Sequence, residues 1–111
     1  MSRDWRLYWG DIIESCEKIQ RYTAGMDRVA FETDGKTVDA VIRNLEIIGE
    51  AAKKLPNDAR VRCPAVEWRK ISSFRDVVAH ANFGVDLAIV WNVVEAKVPA
   101  LLAAMRQADT E

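Results

Sequence analysis

The residues of this 111-residue chain with the clearest chemical potential lie between Arg75 and Asn82. Arg75, Asp76, His80 and Asn82 supply a guanidinium, a carboxylate, an imidazole and an amide. Histidine titrates near neutral pH and can donate or accept a proton. Arginine stays charged, and its guanidinium can hydrogen-bond two oxygens of one phosphate group at the same time. RNA carries its own nucleophile, the 2′-hydroxyl group, so these groups can cleave it without a metal ion. The segment predicts Arg75 and His80 as catalytic residues, with Asp76 and Asn82 supporting them.

A structural interpretation of the same residues stays open. A single histidine at a helix end often hydrogen-bonds the last carbonyl groups or lies half-buried in the core. Asn82 can donate a hydrogen bond to a phosphate or a base beside His80, or it can form the helix C-terminal cap.

The spacing limits how these side chains can meet. On a helix, Asp76 and His80 are four residues apart and share a face, so the carboxylate can orient the imidazole. Arg75 and His80 are separated by about 140° around a helix and about 7.5 Å along it. They converge if the helix loosens near His80, if the arginine reaches round, or if two copies of the chain face each other. The third arrangement predicts a homodimer with a composite cleft.

Charge is unevenly distributed along the chain. The net charge is −1, yet the segment from Lys53 to Arg75 holds seven cations and two anions. Such a segment is typical of a protein that contacts phosphate at one place, although solvated helix faces explain it equally well. Within this basic segment, Arg69 and Lys70 are the candidate RNA-binding residues; the segment from Arg75 to Asn82 that follows them is called the motif below.

Composition excludes several classes of protein. Two cysteines, Cys16 and Cys63, and one histidine form no familiar zinc spacing, so we expect no metal and no cofactor. A glycine loop that could cradle phosphate is absent, which leaves a nucleotide-binding accessory subunit little support. Apolar runs are far shorter than the roughly 20 residues of a membrane span. We therefore expect a cytoplasmic protein with reduced thiols and no membrane segment.

Hydrophobic spacing predicts one all-α domain over residues 1–111, an up-down bundle of four main helices plus short helices. The first main helix is predicted from Asp4 to Tyr22 and the second from Thr37 to Leu55, capped by Asp34 or Thr37. A short helical turn is predicted at 26–31 and a turn-rich connector at 57–64. The seam of the second helix consists of Val38, Val41, Leu45, Ile48, Ala52 and Leu55.

The other two main helices flank the motif. The third is predicted to begin near Ala65 and to run toward His80, and the fourth to begin at its cap, Asp86, and to continue through Met105. Pro99 lies inside the fourth helix and should kink or split it. Four tryptophans and wide apolar faces, such as Val93 beside Val94, exceed what a small bundle easily hides. This surplus also favours a homodimer.

Three stretches together make the sequence similar to a known family. They are the segment from Asp39 to Ala51, which contains Asn-Leu-Glu-Ile-Ile-Gly-Glu-Ala; the Arg75–His80 spacing preceded by Trp68; and Phe-Gly-Val-Asp at 83–86, followed by Trp91 and Pro99. Over nearly its whole length the chain closely resembles the HepT-like ribonucleases. These are HEPN-domain toxins paired with minimal nucleotidyltransferase (MNT) antitoxins.

The resemblance implies an all-helical, HEPN-like homodimer that acts as a metal-independent endoribonuclease toxin on tRNA or mRNA. It places the catalytic pair at Arg75 and His80, with Asp76 at the polar position after the arginine. It also implies an antitoxin that transfers AMP to a tyrosine two residues after the histidine. Here that position is Asn82, which has no hydroxyl group. The AMP acceptor is therefore unknown, and three alternatives are open. The antitoxin neutralises the protein by binding alone, it modifies another hydroxyl group (Tyr8, Tyr22, Ser72 or Ser73), or the system has decayed.

Two functions of different classes remain at this point. The first is RNA cleavage by 2′-hydroxyl attack, which leaves a 2′,3′-cyclic phosphate. The second is a non-catalytic helical module that binds a nucleotidyltransferase partner or RNA. The acidic net charge and the missing tyrosine favour the second function, and the Arg75–His80 pair favours the first.

Overall fold

The computed structural model describes residues 3–74, 76 and 86–110. Every regular element in this part of the chain is helical, which confirms the all-α prediction there. The elements are α1 (Trp5–Thr23), α2 (Arg28–Thr33), α3 (Gly35–Lys53), α4 (Asn57–Arg60), α5 (Trp68–Ser72), α6 (Leu87–Asn92), a π-helical turn (Val93–Lys97) and α7 (Val98–Asp109).

The helices α1 and α3 form the centre of the fold. Both begin at an aspartate whose side chain accepts a backbone hydrogen bond, Asp4 for α1 and Asp34 for α3. All six residues of the predicted α3 seam are buried, so the period of the apolar residues identified the core face correctly. The prediction placed the start of α3 two residues late, at Thr37 instead of Gly35.

The chain order gives antiparallel neighbours. Arg3 and Tyr8 at the start of α1 share a shallow groove with Glu50 and Lys54 at the end of α3. The indole Nε1 of Trp9 donates to the Asp109 carboxylate at the end of α7, at 3.1 Å. Helix α1 therefore runs antiparallel to both α3 and α7.

The C-terminal helix continues through Pro99, and the predicted interruption takes the form of a π-helical turn at Val93–Lys97, directly before the segment that holds the proline. Proline cannot donate a backbone hydrogen bond, and its ring conflicts with the carbonyl group four residues earlier. The preceding turn is π-helical, and the N–H of Val98 donates to the carbonyl of Val93, five residues back. The wider turn lets the helix continue past Pro99.

The helix that spans Leu87–Asp109 is long and apolar enough to cross a membrane by length and composition, with a mean hydropathy of 1.6. The expectation that no stretch is apolar enough was therefore wrong for this helix. One face of it, which includes Val90, Val98 and Met105, is buried in the core of the domain. That arrangement is typical of an amphipathic core helix.

Three predicted boundaries need correction. The connector at 57–64 contains the short helix α4, and the short helical turn lies at 28–33 instead of 26–31. Helix α5 begins at Trp68 instead of Ala65, because residues 61–67 form a series of turns. Phe74 and Asp76 are helical, and the predicted continuation of this helix to His80 lies outside the described residues.

The tryptophans do not supply the surplus apolar surface that the sequence suggested. Trp9 and Trp68 are buried, and Trp5 and Trp91 are partly buried against the core. Val93 and Val94 are both buried too. The single chain thus covers most of the apolar surface that favoured a dimer. The homodimer stays a prediction that rests mainly on the motif spacing and the resemblance.

Candidate functional site

The predicted catalytic residues Arg75 and His80, and the supporting residue Asn82, lie outside the described residues. Asp76 is exposed, and its backbone N–H donates to the carbonyl of Ser73 at 2.8 Å. The candidate RNA-binding residues Arg69 and Lys70 are exposed on α5, immediately before the motif.

Trp68 fixes the approach to the motif. Its Nε1 donates to the carbonyl of Arg60 at 3.0 Å, and its ring centroid lies 6.3 Å from that of Trp9 on α1. Ile71 and Phe74 follow at helical spacing and are also buried. The residues that lead to Arg75 are thus anchored on the core.

The chain beyond the motif is anchored as well. The Asp86 carboxylate accepts a hydrogen bond from the N–H of Ala88 at 3.0 Å and caps α6, as predicted. Further along this helix, the Trp91 ring packs on Phe31 of α2, with centroids 5.3 Å apart. Both flanks of the motif segment therefore start from fixed positions on the domain.

An apolar cleft of about 440 Å³ lies between α5, the π-helical turn and α7, and we call it the α5–α7 cleft. Ile71 and Phe74 line one side, and Val93, Leu101 and Ala104 line the other. Because Phe74 directly precedes Arg75, the cleft adjoins the predicted catalytic segment in the chain.

Three charged side chains border this cleft: Glu67, Lys70 and Lys97. Glu67 and Lys70 form an ion pair at 2.8 Å. The hydrogen bond and the charge of Lys70 lower the pKa of the Glu67 carboxyl, and the charge of Lys97 adds to the effect. Glu67 is thus ionised at neutral pH and leaves the border with a net charge of +1.

Much of the basic segment has a structural role. Lys53 pairs with Glu50 at 3.9 Å, and Arg60 donates to the carbonyl of Ala52 at 3.0 Å. With the Glu67–Lys70 pair, these contacts support the view that part of the positive charge belongs to ordinary helix surfaces.

Arg62 has a role that the sequence did not indicate. Its guanidinium lies 5.0 Å from the ring centroid of Trp9 and 5.6 Å from that of Trp5. It also pairs with Asp109 at 3.8 Å and donates to the carbonyl of Ala108 at 3.3 Å. This cation holds the turns after α4 against the start of α1 and the end of α7.

The described residues contain no group of three or more histidine, cysteine or acidic side chains that could hold a metal ion. Both cysteines are buried, and burial raises the pKa of the Cys16 thiol to about 12. The Cys63 thiol donates to the carbonyl of Ala104 at 3.4 Å. Both thiols are therefore core side chains, and the raised pKa of Cys16 makes it a poor nucleophile.

Residues 12–108 match the family model described as "Ribonuclease HepT-like", a range that contains the whole motif segment. The chain belongs to the HepT-like ribonuclease family. The HepT-like chain is 43% identical over 101 residues to "Probable ribonuclease HepT" of Thermococcus cleftensis, which covers 91% of the chain and 92% of that protein. No solved structure matches it.

Two further relatives carry a similar name. The chain is 41% identical to "Putative RNase MJ0127" of Methanocaldococcus jannaschii, over 87% of the chain and 80% of that protein. It is 35% identical to "Putative RNase TTE0752" of Caldanaerobacter subterraneus, over 86% of each. The relatives support a ribonuclease in general terms, and the finer assignment of residues and partners is a proposal.

Proposed function

We propose that this HepT-like protein is a metal-independent endoribonuclease toxin that cleaves cellular RNA, tRNA or mRNA, in the cytoplasm. The observation that carries the proposal is the family match over residues 12–108, which includes the Arg75–His80 pair. The anchored flanks of the motif, at Trp68 and Asp86, support it because catalytic groups need a rigid frame.

The reaction follows from the chemistry of the two side chains. His80 accepts the proton of the 2′-hydroxyl group, and the resulting oxygen attacks the adjacent phosphorus. Arg75 stabilises the negative charge of the phosphorane through two hydrogen bonds. A proton passed back to the 5′-oxygen releases a 5′-hydroxyl end and leaves a 2′,3′-cyclic phosphate. In the proposed homodimer, two copies of the motif share one cleft.

The direct test is cleavage of total tRNA by purified protein in the presence of EDTA. We expect cleavage to continue and end-group analysis to show 2′,3′-cyclic phosphate. Arg75→Ala and His80→Ala should each lower the rate by about 10²-fold or more. Arg21→Ala is the matched control, since Arg21 is exposed near the end of α1. A strict magnesium requirement, or full activity of His80→Ala, contradicts the mechanism.

A nucleotidyltransferase of the MNT type is the proposed antitoxin. Asn82 cannot accept AMP, so neutralisation proceeds by binding or by modification of another hydroxyl group. Among the candidates, Tyr22 and Ser73 are exposed, whereas Tyr8 and Ser72 are partly buried. The intact mass of the protein after incubation with this partner and ATP distinguishes the two routes.

The second candidate function is a non-catalytic module that binds a nucleotidyltransferase or RNA. The absence of the acceptor tyrosine at Asn82 and the ion-paired state of Lys53 and Lys70 favour it. It predicts tight complex formation, no RNA cleavage by the purified protein, and no effect of His80→Ala.

A further inference from the structure

The α5–α7 cleft combines the features of a base-binding pocket. Its walls are apolar: Ile71 and Phe74 face Val93, Leu101 and Ala104 across a volume of about 440 Å³. This volume lies within the range of small-ligand sites, which are apolar with few polar groups. Single-stranded nucleic acid binds by placing bases against aromatic and apolar side chains beside a cationic groove.

The charged border matches the remaining parts of a nucleotide. Lys97 is an exposed cation at the edge of the cleft, where a phosphate group can approach, and Lys70 at the same edge is paired with Glu67. Glu67 is an exposed carboxylate at the same edge, and carboxylates accept hydrogen bonds from exocyclic amino groups of bases. Adenine, cytosine and guanine carry such an amino group, and uracil does not.

The π-helical turn places two of these features. The turn begins at Val93 and ends at Lys97, and both residues line the cleft. Val93 contributes a buried apolar side chain, and Lys97 contributes a cation. π-Helical turns occur frequently at functional sites, where the extra residue changes the direction of side chains.

We propose that the α5–α7 cleft binds a nucleobase of the RNA substrate. The base packs against the partly exposed side chains of Val66 and Ala104 at the mouth of the cleft. Glu67 accepts a hydrogen bond from its amino group, and Lys97 contacts the neighbouring phosphate. The inference rests on the proposed ribonuclease function, and it assigns base preference to residues outside the Arg75–His80 pair. Because Phe74 precedes Arg75, the base is held close to the cleaved phosphate.

The first test fills the cleft. Ala100 lines it and is exposed, so Ala100→Trp fills the space without entering the core, whereas Ala103→Trp adds the same side chain elsewhere on α7. Both are made in the His80→Ala background, and binding of fluorescent oligo(A), oligo(C) and oligo(U) is followed by anisotropy. We expect Ala100→Trp to raise the Kd for oligo(A) about tenfold and Ala103→Trp to leave it within about twofold.

The second test changes the charges and does not depend on the folding of Ala100→Trp. Lys97→Gln should reduce the slope of log Kd against log salt by about 0.7. Glu67→Ala should remove the preference for oligo(A) over oligo(U). The control Glu95→Ala, at an exposed carboxylate of the π-helical turn, should strengthen binding of all three oligonucleotides equally and keep the preference.

Equal binding by Ala100→Trp and Ala103→Trp overturns the inference, as does an unchanged preference in Glu67→Ala. A change of oligomeric state, or loss of nucleotidyltransferase binding, in Ala100→Trp with RNA affinity intact assigns the cleft to a protein and also overturns it. Cleavage of tRNA by the wild-type protein in EDTA is measured separately. If the wild-type protein cleaves tRNA and the variants bind RNA as it does, only the inference about the α5–α7 cleft is wrong. If the wild-type protein does not cleave tRNA, the proposed function is wrong.

Discussion

Arg62 should be one of the most important surface cations for stability. Its guanidinium contacts the rings of Trp9 and Trp5, and each such contact contributes about 0.5–1 kcal/mol at a partly exposed site. Its pair with Asp109, at 3.8 Å, adds less than about 1 kcal/mol because both side chains are more than a third exposed. With the hydrogen bond to Ala108, we expect Arg62→Ala to lower the free energy of unfolding by about 2 kcal/mol.

The assay is urea denaturation followed by circular dichroism and tryptophan fluorescence. Arg62→Lys keeps the charge but loses the planar group that packs on the indoles, so it should lose about 1 kcal/mol. Arg69→Ala is the matched control, since Arg69 is exposed on α5, and its effect should stay within about 0.5 kcal/mol. An Arg62→Ala protein as stable as this control, or an Arg62→Lys protein as stable as wild type, would refute the reasoning.

Three further predictions concern single sites. Gly25→Ala should lower the free energy of unfolding by about 1 kcal/mol, because Gly25 has φ = +77°. Gly10→Ala, at an exposed position inside α1, should raise the free energy of unfolding by about 0.5–1 kcal/mol. Urea denaturation that shifts the stability of both variants in the same direction contradicts this pair of predictions. Burial raises the pKa of Cys16 to about 12 from an ordinary 9.0, so at pH 8 its alkylation in the folded protein should be about a thousandfold slower than in urea-unfolded protein. Peptide mass spectrometry measures the two rates, and rapid labelling of Cys16 in the folded protein would disprove the prediction. Hydrogen bonds from the backbone and hydroxyl group of Thr37 lower the pKa of Asp34 in the folded protein. A carboxyl group with a lowered pKa stabilises the folded state at pH values above its unfolded pKa, and this stabilisation is lost as the pH falls through the folded pKa. The melting temperatures of wild type and Asp34→Ala should therefore differ at pH 7 and converge in acid, and a constant gap would count against this.

The long helices could be predicted because their signals are local. The seam of α3 repeats at helical spacing, and Asp34 and Asp86 stand where a cap is needed. Helix α4 was missed because Pro56 and Pro64 suggested a loop. Yet proline also precedes or opens helices, and Pro56 stands directly before α4.

The remaining features depend on contacts between distant residues. Pro99 gives a local reason to expect a break, but whether the helix breaks or widens into a π-helical turn depends on the core that packs around Val94 and Val98. No periodic pattern brings Arg62 to Trp5 and Asp109. The α5–α7 cleft could not be predicted either, because its walls come from two separate segments, residues 65–74 and 93–104. Arg75 and His80 were predicted from residue type and spacing, and that prediction stands untested.

The bonds from Trp9 and Arg62 to Asp109 bring the opening turns of α1 and the closing turn of α7 to one pole of the molecule. A short flexible linker can therefore join the start of α1 to the end of α7, and a new start and end can be opened in the turn at Gly25, between α1 and α2. Such a circular permutant keeps each of the described helices intact, and it separates the connectivity of the chain from the packing on both sides of the motif.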